Sequence, residues 1–350
     1  MAVQPGGGAP DPLWSYTSKA DFGSSNLAVA GGRVYVVSDR LTAVDAATGA
    51  VAWNGEYIDG LLAAAGGGLV FVGSPNSLTG YDQATGKSAW RPRYSGPSSP
   101  SYSLVQALCA DDELAYGITW GQNGLNGQAT KLVAWSIESG VESWSQELRP
   151  GQQRYGVQHG LRDGRIYHND GQFTIIARST KDGQQLWSTP TGADFAITPV
   201  TDGDRLYCLA GKDGLQALST ATGSRQLLIR QKGGADGSFG QVTAVNGVVY
   251  GFPGDQSVCA WSAKTGEQLW ECPLPFRPSD VNQPVLVQNT LFVVGTGIDG
   301  VTAVDAGSGA IRWRFRTDPL SSPSEEWALT TDGRRLFAGL GTTLFALPAS

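Results

Sequence analysis

The sequence predicts an all-β protein, an eight-bladed β-propeller of four-stranded antiparallel blades. Three observations favour this class: one hairpin motif that occurs seven times, a second turn motif that occurs eight times, and a glycine-rich, aromatic-rich composition. Repeats spaced by about 40 residues are typical of propellers and solenoids. The 350 residues include 48 Gly and 11 each of Trp, Tyr and Phe, which favours many turns and strands over helices.

The first motif is a pair of short strands around a Gly-containing turn, as in AVDAATGAVAW at residues 43–53. The fourth residue after the turn glycine is Trp, except at Leu227. We interpret each copy as strands C and D of one blade. The other copies lie at 78–90, 132–144, 175–187, 215–227, 258–270 and 301–313.

The second motif precedes each copy and consists of a Gly/Asp-type turn followed by an apolar run with Tyr or Phe. An alternating apolar run comes before it, so we predict strands A and B, joined by a hairpin turn. Each repeat is therefore expected to contain four strands in the order A-B-C-D. The aromatic positions are Tyr35, Phe71, Tyr116, Tyr167, Tyr207, Tyr250, Phe292 and Phe337.

The eighth repeat is incomplete, because residues 344–350 supply strand C and no strand D follows. Residues 13–17, with Trp14, provide a matching strand at the other end of the chain. We therefore predict that this N-terminal strand completes and closes the last blade, which would leave no open sheet edge in the array. The expected organisation is a flexible linker over 1–12 and one propeller domain over 13–350.

The D-A-x-T-G-x-x-x-W pattern resembles the repeat of the pyrroloquinoline-quinone-like (PQQ-like) β-propellers, over almost the whole chain. In that family the Trp packs between blades. That family includes quinone-dependent alcohol dehydrogenases, outer-membrane assembly lipoproteins and the propeller sensor domains of actinobacterial serine/threonine kinases. The fold therefore leaves the function open.

The quinone-dependent members carry an adjacent pair of cysteines and an acidic calcium site. Here the cysteines are Cys109, Cys208, Cys259 and Cys272, and no two are adjacent. The resemblance therefore transfers no catalytic residue and implies a short, non-catalytic member without a cofactor or a metal.

The net charge and the hydropathy of the chain limit the classes of partner and the cellular location that we expect. The formal net charge of −6 argues against nucleic acid, which selects basic faces. No run of about 18 apolar residues could span a membrane, and residues 1–12 lack the apolar core of a signal peptide. The Pro/Gly-rich start and the Lys-poor composition favour the kinase-sensor group. We thus expect a monomeric module of a larger protein on the extracytoplasmic side of a bacterial membrane, with a cytoplasmic location as the alternative.

Chain topology predicts where a binding site lies. The A–B and C–D turns would share one face, and the longer, more varied B–C and D–A loops would share the other. Variable loops on a rigid scaffold are where binding usually resides. Aromatic and charged residues of mixed sign on that face suit a small polar ligand or a protein segment at the channel mouth. The candidate ligand-binding residues are Tyr57, Asp59, Arg93, Tyr102, Trp120, Arg154, Tyr155, Asp194, Phe195, Phe239, Asp280, Glu325 and Trp327.

Three other patterns have weaker functional interpretations. GTGIDG at 295–300 matches a phosphate-binding motif but leads into a strand, not a helix. His159 and His168 flank an Asp-Gly turn symmetrically, as a metal or proton-transfer pair or as a structural pair. Cys259 and Cys272 flank another turn, as a disulfide or as two buried thiols, depending on whether a bulge shifts the register.

Three functions follow as hypotheses. The first is a non-catalytic ligand- or protein-binding propeller, specifically the sensor domain of a signalling protein such as a bacterial serine/threonine kinase. The second is a protein-assembly scaffold. The third is a quinone-dependent oxidoreductase, or another enzyme that uses the central channel.

Overall fold

The protein is an all-β, eight-bladed propeller of four-stranded antiparallel sheets, as the sequence predicts. The structure, a computed structural model, describes residues 8–21, 27–57, 61–74, 77–93, 103–123, 127–148, 161–169, 174–192, 199–230, 239–254, 256–317 and 325–349. Within these residues the helical elements are two single 3-10 turns, Gly211–Asp213 and Gly297–Asp299.

The chain forms two compact units. The first unit comprises residues 1–58 and 229–350, and the second comprises residues 59–228. Each unit holds four of the eight sheets, which we number as blades one to eight in chain order.

The first unit contains blades one, six, seven and eight. Blade one has strands β2 (Leu27–Ala30), β3 (Arg33–Val37), β4 (Arg40–Asp45) and β5 (Val51–Tyr57). Blade six has β22 (Val242–Val245), β23 (Val248–Gly251), β24 (Ser257–Ser262) and β25 (Gln268–Pro273). Blade seven has β26 (Val285–Val287), β27 (Thr290–Val294), β28 (Val301–Asp305) and β29 (Ile311–Phe315). Blade eight has β30 (Ala328–Thr331), β31 (Arg335–Leu340), β32 (Thr343–Pro348) and β1 (Trp14–Thr17).

The second unit contains blades two to five. Blade two has β6 (Leu61–Gly66), β7 (Leu69–Ser74), β8 (Ser77–Asp82) and β9 (Ser88–Trp90). Blade three has β10 (Ser103–Ala110), β11 (Leu114–Asn123), β12 (Gly127–Ser136) and β13 (Glu142–Leu148). Blade four has β14 (Leu161–Arg162), β15 (Arg165–Asn169), β16 (Thr174–Ser179) and β17 (Gln185–Pro190). Blade five has β18 (Val200–Asp202), β19 (Arg205–Leu209), β20 (Leu215–Ser219) and β21 (Arg225–Ile229).

The N-terminal strand completes blade eight. Strand β1 pairs antiparallel with β32, with Trp14 opposite Ala346 and Thr17 opposite Thr343. The sheet order β1-β32-β31-β30 confirms that residues from both ends of the chain build one blade.

The repeat tryptophan of strand D joins one blade to the next. In five blades its indole N–H is seen to donate to a backbone carbonyl in the C–D turn region of the following blade, as in Trp270 to Ala306 at 2.9 Å. The turn glycine lies against the same indole ring, because a Cβ added to Gly309 would come within 2.7 Å of Trp270. The other pairs with this hydrogen bond are Trp14 with Ala46, Trp90 with Ser136, Trp144 with Thr180 and Trp187 with Thr220. The buried indole N–H of Trp313 has no hydrogen-bond partner among the described residues.

In the seven blades that have this tryptophan, the aromatic residue of strand B packs against it. Tyr250 and Trp270 have ring centroids 5.9 Å apart, and Phe292 and Trp313 have centroids 5.6 Å apart. Such tilted pairs stabilise beyond their buried area. Blade five lacks the pair because Leu227 replaces the tryptophan, although Tyr207 is still fully buried.

Each C–D turn is closed by the Asp or Ser that begins it. The Asp305 carboxylate accepts hydrogen bonds from the backbone N–H groups of Gly307 and Ser308 and from the Ser308 hydroxyl. Gly309 then adopts φ +75°, which only glycine reaches without strain. A bulge beside the turn shifts the pairing of β28 with β29 between Ala303 and Val304.

The equivalent bulge in blade six determines whether Cys259 and Cys272 can face each other. Cys272 pairs with Val258 and Cys259 pairs with Glu271, because the register shifts between Ala260 and Trp261. The two thiols are therefore one position out of register, and both are free and buried.

Candidate functional site

Four described segments of the first unit lie at the B–C and D–A ends of blades six to eight. We call residues 276–282, 296–300, 314–316 and 325–327 the connection surface. It contains the D–A loop after β25, the B–C turn of blade seven, the end of β29, and the approach to β30.

The loop after β25 is fixed by hydrogen bonds at both of its ends. The backbone N–H of Ser279 donates to the carbonyl of Val294 at 2.9 Å, and the side chain of Asn282 donates to the carbonyl of Trp327 at 2.8 Å. The amide of Gln241 donates to the carbonyl of Asp280 at 3.1 Å. The loop is therefore tied to three neighbouring segments.

The B–C turn of blade seven is the GTGIDG stretch, and its glycines serve close packing. A Cβ on Gly297 would lie 2.8 Å from the carbonyl oxygen of Glu325, and one on Gly295 would lie 2.7 Å from the ring of Phe276. The Asp299 carboxylate accepts hydrogen bonds from the N–H and hydroxyl of Thr296, which closes the turn. The motif therefore has a structural explanation.

Segment 325–327 joins these two loops. The backbone N–H of Gly297 donates to the carbonyl of Glu325 at 2.6 Å, and the Trp327 indole N–H donates back to the Gly297 carbonyl at 3.2 Å. Trp327 is fully buried against Phe315 and Phe345. This buried tryptophan therefore connects the loops of the connection surface to the core.

Two aliphatic side chains project from these fixed loops. Val281 is 57% exposed and Ile298 is 59% exposed. Both adjoin residues that hydrogen-bond to Trp327, namely Asn282 and Gly297. The connection surface thus presents apolar groups on a rigid backbone.

The connection surface also carries charged groups of both signs. Arg277 forms a 3.3 Å ion pair with Asp280, and both side chains are exposed. The guanidinium of Arg314 lies 5.4 Å from the ring centroid of Phe276 and donates to the carbonyl of Asp299. Burial lowers the pKa of Arg314, and the nearby positive charge of Arg316 lowers it further.

Four of the predicted site residues lie at the B–C and D–A ends of their blades. Tyr57 ends β5 opposite Arg40 and is 77% exposed at the connection end of blade one. Asp280 and Glu325 lie in the connection surface. Trp120 lies in β11 opposite Ser103, and its side chain is outside the described part of the chain.

Two other predicted site residues are buried, and a third lies beside the C–D turn of the next blade. Phe239 is 4% exposed and packs on Trp261, and Trp327 is buried as described above. Arg93 donates its backbone N–H to Gly140, in the C–D turn of blade three, at the opposite end of the sheet. The physical reason is that β9 ends at Trp90 and Pro92 lacks the N–H that would continue the ladder.

The remaining predicted site residues lie outside the described residues. They are Asp59, Tyr102, Arg154, Tyr155, Asp194 and Phe195.

Sequence reasoning missed Val281, Ile298, Arg314 and Arg316. The sequence contains one feature that could have identified Ile298 as a site residue, because it is an aliphatic residue in a Gly-rich turn. Such turns rarely need a large apolar side chain for folding.

The histidine pair is only partly described. His168 is buried and accepts a hydrogen bond from the Arg178 side chain at 3.1 Å, whereas His159 lies outside the described residues. Burial lowers the pKa of Arg178.

Among the described residues, no three His, Cys, Asp or Glu side chains are grouped so that they could hold a metal ion. The four cysteines are separate free thiols, with pKa values raised mainly by burial. No helix in the described part is long and apolar enough to cross a membrane.

Sequence comparison finds a curated relative and a matching family model. The outer membrane protein assembly factor BamB of Burkholderia pseudomallei (strain K96243) is 32% identical over 143 residues, which cover 39% of this chain and 34% of that protein. The match therefore spans about a third of the length of the curated relative.

Solved structures share the fold at low identity. BamB from Moraxella catarrhalis superposes with a TM-score of 0.71 at 17% identity and covers 97% of this chain and 99% of its own. The computationally designed Ika8 protein gives 0.72 at 15% identity, covering 95% and 98%. A quinohemoprotein alcohol dehydrogenase from Comamonas testosteroni gives 0.63 at 13% identity, covering 97% and 76%.

The family model, described as outer membrane protein assembly factor BamB, matches residues 2–157, 129–234 and 232–349. Since these stretches together run along nearly the whole sequence, the chain belongs to the BamB family of PQQ-like β-propellers.

Proposed function

We propose that this chain is a protein-binding scaffold for assembly, which holds an extended segment of a partner protein on the connection surface. The observation that carries the proposal is the pair of exposed aliphatic residues, Val281 and Ile298, on loops fixed to the Trp327 segment. Exposed apolar groups ringed by polar residues are typical of interaction sites.

The hydrogen bonds that order these loops support a role in binding for the exposed aliphatic residues. The hydrogen bonds from Asn282 to Trp327 and from Gly297 to Glu325 restrain both loops before any partner arrives. A preordered surface loses little conformational entropy on association, so more of the contact energy becomes affinity.

The family membership supports a role in assembly. The matched family and the Burkholderia relative are named as outer membrane protein assembly factors. We extend that role to this chain and place it on the extracytoplasmic side of a bacterial membrane. The proposed partner is a polypeptide, either a component of the assembly machinery or a protein being assembled.

The narrower hypothesis of a kinase sensor domain uses the same surface. It rests on the Pro/Gly-rich N-terminal segment and the Lys-poor composition. The two roles differ in what is bound: a scaffold contacts assembly proteins, whereas a sensor responds to a ligand and passes a signal to a fused domain.

A photo-cross-linking experiment tests the proposal. The cross-linking amino acid p-benzoylphenylalanine replaces Val281 or Ile298 in cells that assemble outer-membrane proteins. The matched control position is Leu269, which is 54% exposed on β25 outside the connection surface. We expect cross-links to assembly proteins from positions 281 and 298 and none from position 269.

Equal cross-linking from all three positions would contradict a specific site. Cross-links from positions 281 and 298 to a kinase segment would favour the sensor hypothesis over the scaffold. The absence of cross-links from both positions would contradict the scaffold proposal.

A further inference from the structure

Blade four holds a buried histidine–arginine pair. His168 on β15 is 4% exposed and Arg178 on β16 is 9% exposed. The Nε–H of Arg178 donates to Nε2 of His168 at 3.1 Å, and Nη1 of Arg178 donates to the carbonyl of Gly183 at 3.0 Å. Because the guanidinium Nε always carries its hydrogen, Nε2 of His168 is the unprotonated ring nitrogen. The imidazole is therefore uncharged in this arrangement.

The fold does not need an ionisable pair at these two positions. At the place of the histidine, directly after the strand-B aromatic residue, blade five has Cys208 and blade seven has Val293. At the place of the arginine, the same two blades have Leu218 and Val304. All four side chains are buried. Since apolar packing is sufficient in blades of the same design, the pair in blade four points to a role beyond packing.

The pair lies at the contact between blades three and four. Ile166, on the same face of β15 as the histidine, packs into the apolar cluster of blade three. The indole N–H of Trp144 in blade three donates to the carbonyl of Thr180, and a Cβ on Gly183 would lie 2.5 Å from the same ring. Arg178 thus holds the carbonyl of the turn glycine that receives Trp144. Movement of the guanidinium would therefore disturb the contact between the two blades.

The described carboxylates of β13 point away from the pair. Trp144 faces blade four, so Glu147, three positions along the strand, faces the other way together with Lys131 opposite it. Glu142 stands opposite Trp135, which packs against blade two. This strand therefore supplies no carboxylate to the guanidinium.

Two described titratable groups of blade three do face blade four, and both stay protonated. Cys109 and Tyr116 pack in the same cluster as Ile166. Burial raises the pKa of Cys109 to about 12 and raises the pKa of Tyr116 as well. The Tyr116 hydroxyl donates to Asp111, whose carboxylate also accepts backbone N–H groups of its own turn. Asp111 is therefore engaged at the A–B turn.

The described charged groups of blade four do not neutralise the arginine either. The Asp182 carboxylate accepts hydrogen bonds from its own turn, which lower its pKa, and Lys181 is exposed. Arg165 is three positions before the histidine, so it points to the other side of β15. Arg162 and Asp163 pair with each other in the A–B turn. Burial lowers the pKa of the guanidinium in the pair. Outside the described residues lie Arg154, His159 and Asp170.

We propose that the histidine–arginine pair is an acid-sensitive latch between blades three and four. At neutral pH the uncharged imidazole accepts a hydrogen bond from Arg178 and keeps the guanidinium on the turn that receives Trp144. A proton on Nε2 of His168 would remove this acceptor and place a second positive charge beside a buried cation. Acid therefore favours an opened contact. The latch goes beyond the proposed function and does not depend on what the connection surface binds.

The sign and the size of the effect follow from proton linkage. An opened contact exposes the imidazole, which then takes up a proton at the ordinary histidine pKa of about 6.5, whereas the closed contact keeps it uncharged. Closing is therefore fully favourable above about pH 7.5, and its equilibrium constant falls about tenfold by pH 5.5.

Hydrogen–deuterium exchange of the full chain, read by mass spectrometry, tests the latch. Exchange at pH 7.5 and 5.5 is corrected for the intrinsic pH dependence of amide exchange. The amides of β13 and of the turn at 179–184 should lose about tenfold in protection at pH 5.5. The contact between blades six and seven is the internal control, because Trp270 makes the same hydrogen bond there while Val293 and Val304 replace the pair. Its protection should stay unchanged.

Two variants separate the latch from a purely structural role. His168→Gln keeps an acceptor for the guanidinium that takes up no proton in this pH range, so its protection should match that of the wild type at pH 7.5 and stay there at pH 5.5. His168→Cys combined with Arg178→Leu installs the side chains that blade five carries and should also remove the pH dependence. The double variant keeps the test decisive if the glutamine is poorly accommodated.

Unchanged protection of the wild type down to pH 5.5 would overturn the latch. The same loss in the wild type and in both variants would overturn it too, because the loss would then come from other groups. Equal loss at the contact between blades six and seven would show general acid unfolding in place of a local latch. The cross-links from positions 281 and 298 judge the proposed function separately from all of these results.

Discussion

At the scale of single residues, the fold depends on the contact between a turn glycine and the tryptophan of the preceding blade. Gly309 adopts φ +75° and its Cα faces the ring of Trp270, so two separate constraints act on one position. The same Trp270 donates its indole N–H to Ala306. Sequence periodicity revealed the Trp and the Gly but not that they touch each other across blades.

Alanine substitutions at Gly309 and at a control glycine separate the cost of the positive φ from the cost of the clash with Trp270. The positive φ costs about 1–2 kcal/mol for an alanine, and the clash with Trp270 adds about 1–3 kcal/mol. Gly333→Ala is the control, because Gly333 has φ +81° but nothing within 4 Å of an added Cβ. Chemical denaturation should show a clearly larger loss of unfolding free energy for G309A than for G333A. Equal losses would mean that the tryptophan contact contributes nothing.

The Asp305 carboxylate should give the first unit an acid-dependent stability. A 2.5 Å contact with Arg312 and the hydrogen bonds from Ser308 lower the pKa of Asp305 to about 2. Since the pKa is lower in the folded state, the stabilisation is complete above about pH 4 and is lost as the pH falls towards 2.

Thermal melts of the wild type and Asp305→Asn at several pH values measure this effect. The wild type should melt higher at pH 5–7, and the gap should close between about pH 4 and 2. Asp280→Asn, which removes an exposed ion pair, should change the midpoint little. A gap for D305N that stays constant down to pH 2 would refute the assigned role of the carboxylate.

At the scale of elements, the last blade depends on a strand from the other end of the sequence. Strand β1 supplies Trp14, whose ring lies 5.7 Å from Phe337 and covers Gly49. Without it, β32 would present an unpaired edge.

Truncation tests the role of β1. Removal of residues 1–17 should cost about 3–5 kcal/mol for the tryptophan alone and should cause association through the exposed edge of β32. Removal of residues 1–11 is the control, because it keeps β1 and the N–H of Leu13 that donates to Ala346. Size-exclusion chromatography and thermal melts should separate the two truncations. A stable monomer from the longer truncation would show that β1 is dispensable.

The elements were largely predictable from the sequence, and the site was predictable only in part. Strand order and the completion of blade eight follow from alternation and from a missing tryptophan, which are local signals. Whether a loop aromatic is buried depends on distant residues: Trp327 packs against Phe345 and donates its indole N–H to the carbonyl of Gly297. The register between Cys259 and Cys272 likewise depends on one bulge.

At the scale of the whole molecule, the family membership and the connection surface support the same proposed function. The chain is a BamB-family propeller, and we propose that it acts by holding a partner segment on fixed loops. This role needs no cofactor and no movement of the blades, since the hydrogen bonds to Trp327 already order the surface.

The assembly of outer-membrane β-barrel proteins in living cells tests this account most directly. Cells that lack their own assembly factor would produce this chain, and folded barrel proteins would be quantified by their heat-dependent gel mobility. We predict that the wild type and Leu269→Asp restore the folded barrels, whereas Val281→Asp combined with Ile298→Asp does not, although all three proteins accumulate equally. Full restoration by the double variant would contradict the proposed role of the connection surface.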